Sequence, residues 1–194
     1  MGNSNNLAFL DFPNAVEWES WLTNHLDQKN GVWLRIAKKN SDKVSITITE
    51  ALDVALCYGW IDSTRKSYDH THYLQRYSPR RPKSPWSIIN VWKAEVLIAA
   101  GRMQAPGFAE IHTAQNDGRW KLAYESQKNA SVPPDLAAML GQHEQAKQAF
   151  DQLDKSSQYA VMLPLLKATT AKNRAVQLQK VIVKLEAGTT SKTF

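Results

Sequence analysis

The sequence predicts an α+β fold: an antiparallel sheet backed by helices, followed by a small all-α C-terminal helical segment. Three observations predict it. Apolar residues alternate with others over short runs such as "VWLRIA", residues 32–37, and only in the first half of the chain; that period belongs to a half-buried strand. Helical spacing with capping residues separates those runs. From "SVPPDL", residues 131–136, onward no strand pattern remains and four helical stretches follow one another. A chain of 194 residues can bury one principal core with a smaller appendage. We place the α+β domain at 1–120, a linker at 121–133, the helical region at 134–187 and a polar tail at 188–194.

The first helix is "NAVEWESWLTNHL", residues 14–26. Asn14 caps it and Glu17 stands three residues later, the spacing of a capping box. Trp18, Trp21, Leu22 and Leu26 recur at helical spacing and are expected to face the core. After Gly31 comes the strand 32–37, with Val32, Leu34 and Ile36 on one face. Thr47 and Glu50 form the next capping box, and Gly59 stops that helix near 58. "WIDSTRKSYD" and "THYLQRYS" read as two strands around a turn at Asp69–His70. Pro79, Pro82 and Pro85 then interrupt regular structure. A helix capped by Ser84 or Ser87 runs to Gly101, and a shorter one follows over 106–118. The four later helices are expected at about 134–140, 143–153, 156–168 and 170–187. In the last, Ala175, Leu178, Val181, Ile182 and Leu185 share a face.

Composition narrows the function. Forty-three per cent hydrophobic and 22% charged residues are ordinary for a folded protein. No apolar run approaches membrane-helix length, and the start lacks the basic and apolar regions of a secretory signal. The single Cys57 excludes an internal disulfide framework, so a cytoplasmic setting is expected. Net charge is +6, and its placement is informative. Arg65 to Arg102 contains eight basic and two acidic residues, so this segment carries the whole excess.

Within it, "YLQRYSPRRPKSPWS", residues 73–87, combines Arg76, Arg80, Arg81 and Lys83 with Tyr77 and Trp86. Arginine forks suit phosphate or carboxylate, aromatic rings offer stacking, and prolines hold both in place. The plain structural reading is a solvated connection whose cations pair with neighbouring acids. "CYGWIDSTRK", residues 57–66, adds Trp60, Asp62, Arg65 and Lys66. Strict alternation puts Asp62 and Lys66 on one face, lining a cleft, with Arg65 pointing away. Cys57 belongs to the packed stripe of its helix. His70 and His72 form an isolated pair without the further ligands a metal site needs. There is no P-loop, dinucleotide fingerprint, metalloprotease or nucleophile-elbow motif. We assign no catalytic set, metal or cofactor.

The stretches "GVWLRIAKK", "EALDVALCYGWIDS", "YLQRYSPRRPKSPWSIINVWKAEVLIAAGRM" and "DGRW" closely resemble the YdeI/OmpD-associated family, also labelled bacteriocin-protection proteins. Residues 133–187 resemble that family's helical segment. The resemblance implies a YjbR/CyaY-like N-terminal part and a link to stress or bacteriocin protection. Family members usually read G-W-I-D-G where this chain has Ser63. The resemblance supplies no catalytic residues.

The expectation is a cytoplasmic, non-enzymatic binding protein that holds an anionic small molecule or acidic protein partner. Its candidate site is Trp60, Asp62, Arg65, Lys66, Arg76, Tyr77, Arg80, Arg81, Lys83 and Trp86. Two alternatives stay open: a small enzyme with a cleft around Asp62 and Lys66, and a nucleic-acid-binding protein. No membrane insertion is expected, and the oligomeric state is open.

Overall fold

The structure, a computed structural model, describes residues 8–188. The start of the chain and nearly all of the predicted polar tail lie outside the described residues. Three strands and eight helices are seen among the described residues, in the order α1 (Ala15–Thr23), β1 (Val32–Ala37), α2 (Ile48–Cys57), β2 (Trp60–Ser67), β3 (His72–Pro79), α3 (Ile88–Ala99), α4 (Ala105–Asn116), α5 (Pro134–Gln142), α6 (Glu144–Asp151), α7 (Lys155–Leu166) and α8 (Ala171–Glu186). This is the expected α+β class with a helical C-terminal segment. The chain divides into two units, one of residues up to Ser84 with Trp92–Asn116, the other of Pro85–Val91 with Asp117 onward.

In the first unit the sheet order is β1-β3-β2, antiparallel throughout. Leu34, Ile36 and Tyr77 are buried on the face that carries Trp60. Helix α1 supplies Trp18, whose ring lies 5.9 Å from Tyr77 and 6.2 Å from Trp60. Its indole N–H donates to the Ala51 carbonyl of α2 at 3.1 Å, so one buried tryptophan ties both helices to the sheet. Both predicted caps form, but only the second as a box: the Asn14 side chain accepts from the Glu17 amide with no return bond to the Glu17 carboxylate among the described residues, whereas Thr47 and Glu50 make a reciprocal capping box. Trp18 and Leu22 are buried as expected, but Leu26 is exposed because α1 ends at Thr23, a turn earlier than its apolar spacing suggested.

Gly59 turns the chain from α2 into β2 at φ +72°, and a Cβ there would meet the Pro106 carbonyl at 2.9 Å. Both conditions require glycine. Cys57 is buried, and that burial pushes its thiol up to about 11, which keeps it a protonated packing group.

The hairpin turn between β2 and β3 is built by Asp69. Its carboxylate accepts from the Thr71 amide and hydroxyl and from the His72 amide. The His72 Nδ1 also lies 2.8 Å from the Thr71 hydroxyl, so this histidine belongs to the turn's hydrogen bonding.

The second unit has its own core, formed by Leu136, Leu140, Phe150, Val161, Met162, Leu165, Val181, Ile182 and Leu185 with smaller neighbours. Asp154 caps α7 and Thr170 caps α8. Arg174 grips Asp135 with two hydrogen bonds of 2.6 and 2.9 Å, joining α8 to the first turn of α5. Ala175, expected on the buried face, is exposed, because burial on α8 is concentrated at Val181, Ile182 and Leu185. Of the two candidate caps for α3, Ser87 serves, accepting from the Asn90 amide at 3.3 Å.

Candidate functional site

The ten candidate residues do not form one display. Tyr77 is fully buried and Trp60 almost so, both in the aromatic core around Trp18. Arg76 sits on the opposite sheet face and donates to the Asn30 carbonyl at 2.6 Å. Arg80 is 5% exposed, and its amide donates to the Gly59 carbonyl. Trp86 is buried and stands edge-on to Trp120 at 4.8 Å in the second unit. Arg81 and Lys83 remain exposed, in a turn closed by the Ser84 amide on the Arg81 carbonyl. Lys83 takes φ +61°, an uncommon conformation for a residue with a Cβ. The stretch 73–87 therefore distributes its cations between core, sheet face and solvent.

A bulge in β2 rearranges the second group. Asp62 lies opposite Tyr77 and Arg65 opposite Gln75, so three steps along β2 match two along β3. The extra residue reverses the side-chain alternation beyond it. Arg65 therefore shares the face of Asp62, Tyr77 and Gln75, while Lys66, opposite Leu74, falls on the other face. There the Lys66 ammonium lies 5.1 Å from the Trp33 ring centre. This corrects the strict-alternation reading, in which Asp62 paired with Lys66 and Arg65 pointed away. Ser63 needs no glycine-like backbone, since Lys83 alone among the described non-glycine residues has positive φ.

Gln75 holds the bulge together. It is 2% exposed, and its amide nitrogen donates to the Ser63 and Thr64 carbonyls at 3.3 and 3.4 Å. Its carbonyl oxygen accepts from the Arg65 Nε at 3.1 Å. The guanidinium then lies over the Tyr73 ring, 4.5 Å from its centre. Burial raises the Asp62 carboxyl above the usual carboxylate range, and the nearby Arg65 and Arg80 charges offset part of that shift.

Arg65 and Tyr73 open onto a cleft of about 650 Å³. Its other walls are Ala37 to Lys39 at the end of β1, the following loop, and the start of α2. Four cations line it, Lys38, Lys39, Lys43 and Arg65, and no carboxylate does. Lys38 donates to the Asp69 carbonyl at 2.8 Å, and Lys43 lies 3.6 Å from the exposed Asp42. The Ser45 hydroxyl is engaged by the Ala37 amide and the Ile46 carbonyl, and Thr47 by Glu50. The Ser41 hydroxyl oxygen is shielded from solvent and has no hydrogen-bond partner among the described residues. Such a concavity can hold a compact anion with an organic body attached.

Sequence reasoning found Arg65 and missed the three lysines and Tyr73. The stretch "AKKNSDK", residues 37–43, carries the missed signal, but it lies outside the segment with excess charge. Charge summed along the chain does not register a concavity built from β1, a loop and β2.

The fold and cleft define a class: a bulged three-stranded α+β unit with a basic pocket, accompanied by a helical unit. The chain belongs to the family described as Domain of unknown function (DUF8412), whose model matches residues 10–110. Residues 129–188 match the family described as Bacteriocin-protection, YdeI or OmpD-Associated. The YdeI/OmpD resemblance thus stands for the helical segment, whereas DUF8412 covers the N-terminal part, including residues 73–87. Nothing in the comparisons supports the YjbR/CyaY likeness. Neither a curated protein nor a solved structure gives a significant match.

Proposed function

We propose that this is a binding protein for an anionic small molecule, which it takes up in the cleft beside Arg65. The carrying observation is a cleft lined by four cations and no carboxylate, into which the bulge turns Arg65. Bulges often re-aim a side chain beside a functional site, and a cleft of one sign raises the local concentration of oppositely charged ligand. Residues 129–188 match the bacteriocin-protection family, which supports a setting in bacteriocin protection for the whole chain. The single buried Cys57 suits the cytoplasm as its setting. The exposed Arg81 and Lys83 contribute only to the general positive field.

Isothermal titration with phosphate, sulfate and citrate at increasing sodium chloride tests the reading. At least one anion is expected to bind, more weakly as salt rises. Lys39→Ala with Arg65→Ala should weaken that binding roughly tenfold or more, because charge-assisted hydrogen bonds are lost. Arg81→Ala with Lys83→Ala should leave it within about twofold. Absence of binding by every anion, or dependence on Arg81 and Lys83 instead, would reject the cleft.

A further inference from the structure

We infer that the anion held in this cleft is a dianionic phosphoryl group on an organic body, a phosphate monoester, with Arg65 as its two-pronged anchor. The inference rests on the anion-binding reading and specifies its chemistry. Its basis is the set of donors left uncommitted around the cleft. Arg65 spends its Nε on Gln75, and no other hydrogen bond of its guanidinium is formed among the described residues. The Lys39 ammonium, the Tyr73 hydroxyl and the Ser41 hydroxyl likewise have no hydrogen-bond partner among the described residues, and the Ser41 oxygen is also shielded from solvent. Ser45, Thr47 and Lys38, by contrast, already have protein partners.

Four kinds of uncommitted donor, contributed by β2, β3 and the loop after β1, surround the cleft. A carboxylate offers two oxygens and one charge. A phosphate monoester offers three terminal oxygens and nearly two charges at neutral pH, which better matches both the number of donors and the cationic lining. The guanidinium fork is suited to two of those oxygens. Gln75 and Tyr73 fix the fork in advance, so little side-chain freedom is lost on binding. The volume of about 650 Å³ leaves room for more than the phosphoryl group, and Ala37, Ile46 and Ile48 give an apolar wall for an attached carbon skeleton.

The decisive comparison is phenyl phosphate against benzoate, two ligands with the same ring and different head groups, titrated calorimetrically into the full chain. Phenyl phosphate should bind at least tenfold tighter. Arg65→Lys, which keeps the charge and removes the fork, should cut that preference to within about threefold. A third arm uses phosphatidylcholine vesicles with and without phosphatidate. Arg65-dependent binding only to phosphatidate vesicles would support the phosphoryl chemistry and identify a lipid headgroup as its source; binding of soluble phenyl phosphate identifies a free ester. Benzoate binding as tightly as phenyl phosphate would overturn the phosphoryl inference and leave the anion-binding reading standing. If neither aromatic ligand, nor phosphate, sulfate or citrate, nor phosphatidate vesicles bound, both would fall.

Discussion

At the scale of single residues, the most consequential neighbour of the cleft is Asp62, on the same sheet face as Arg65. Its negative charge attracts the guanidinium that we assign to the ligand, so it competes with an incoming anion. The carboxyl is held above its usual range mainly by burial, with Arg65 and Arg80 pulling the other way. Asp62→Asn keeps the size and removes the competing charge. Phosphate affinity at neutral pH should then rise by roughly threefold to tenfold, the range expected for one partly screened charge nearby. Calorimetry on the variant checks this. Lower affinity in a folded variant would show that Asp62 itself takes part in binding, as in the enzyme alternative.

At the scale of the element, the β2 bulge decides which side chains meet. Helices and strands were legible in the sequence because their signals are local. Asn14, Thr47 and Glu50 cap where their spacing says they should, and Leu34 and Ile36 fall on the buried face of β1. The bulge was not legible, because "DSTRK" has no glycine or other local mark of an inserted residue. Its cause lies on the neighbouring strand, in the three hydrogen bonds of buried Gln75. A one-residue shift moved Arg65 onto the site face and Lys66 off it, which is why the candidate pair was wrong while the strand itself was right. Gln75→Met tests this dependence, since methionine has similar length and no amide. The Ser63 and Thr64 carbonyls belong to exposed residues and can turn to water, so the fold should survive. Arg65 loses its anchor, and phosphate affinity should fall about threefold to tenfold although residue 75 is not among the cleft-lining side chains. An unchanged affinity, with the Arg65 Nε–H resonance also unchanged, would show that Gln75 does not position the arginine.

On the scale of the whole molecule, two cores stand in one chain, and they answer to different parts of the sequence. The first is aromatic, centred on Trp18, and supports the sheet face that carries Arg65. The second is aliphatic, centred on residues such as Leu136, Leu165 and Ile182. All residues lining the cleft lie between Ala37 and Tyr73, within the first unit. The cleft therefore draws none of its walls from the segment that matches the bacteriocin-protection family. Leu165→Ala separates the contributions. Leu165 is fully buried, and its truncation should destabilise the helical unit by about 2–5 kcal/mol, the usual cost of a large-to-small change in a packed core. Hydrogen exchange should accelerate in α5 to α8, while the amides of β1 and β3 keep their protection. Phosphate affinity, measured where the variant is still folded, should stay within about twofold of the parent. A larger loss would mean that the helical unit helps shape the cleft despite lending it no side chain, and the site would then have to be treated as a property of the entire chain.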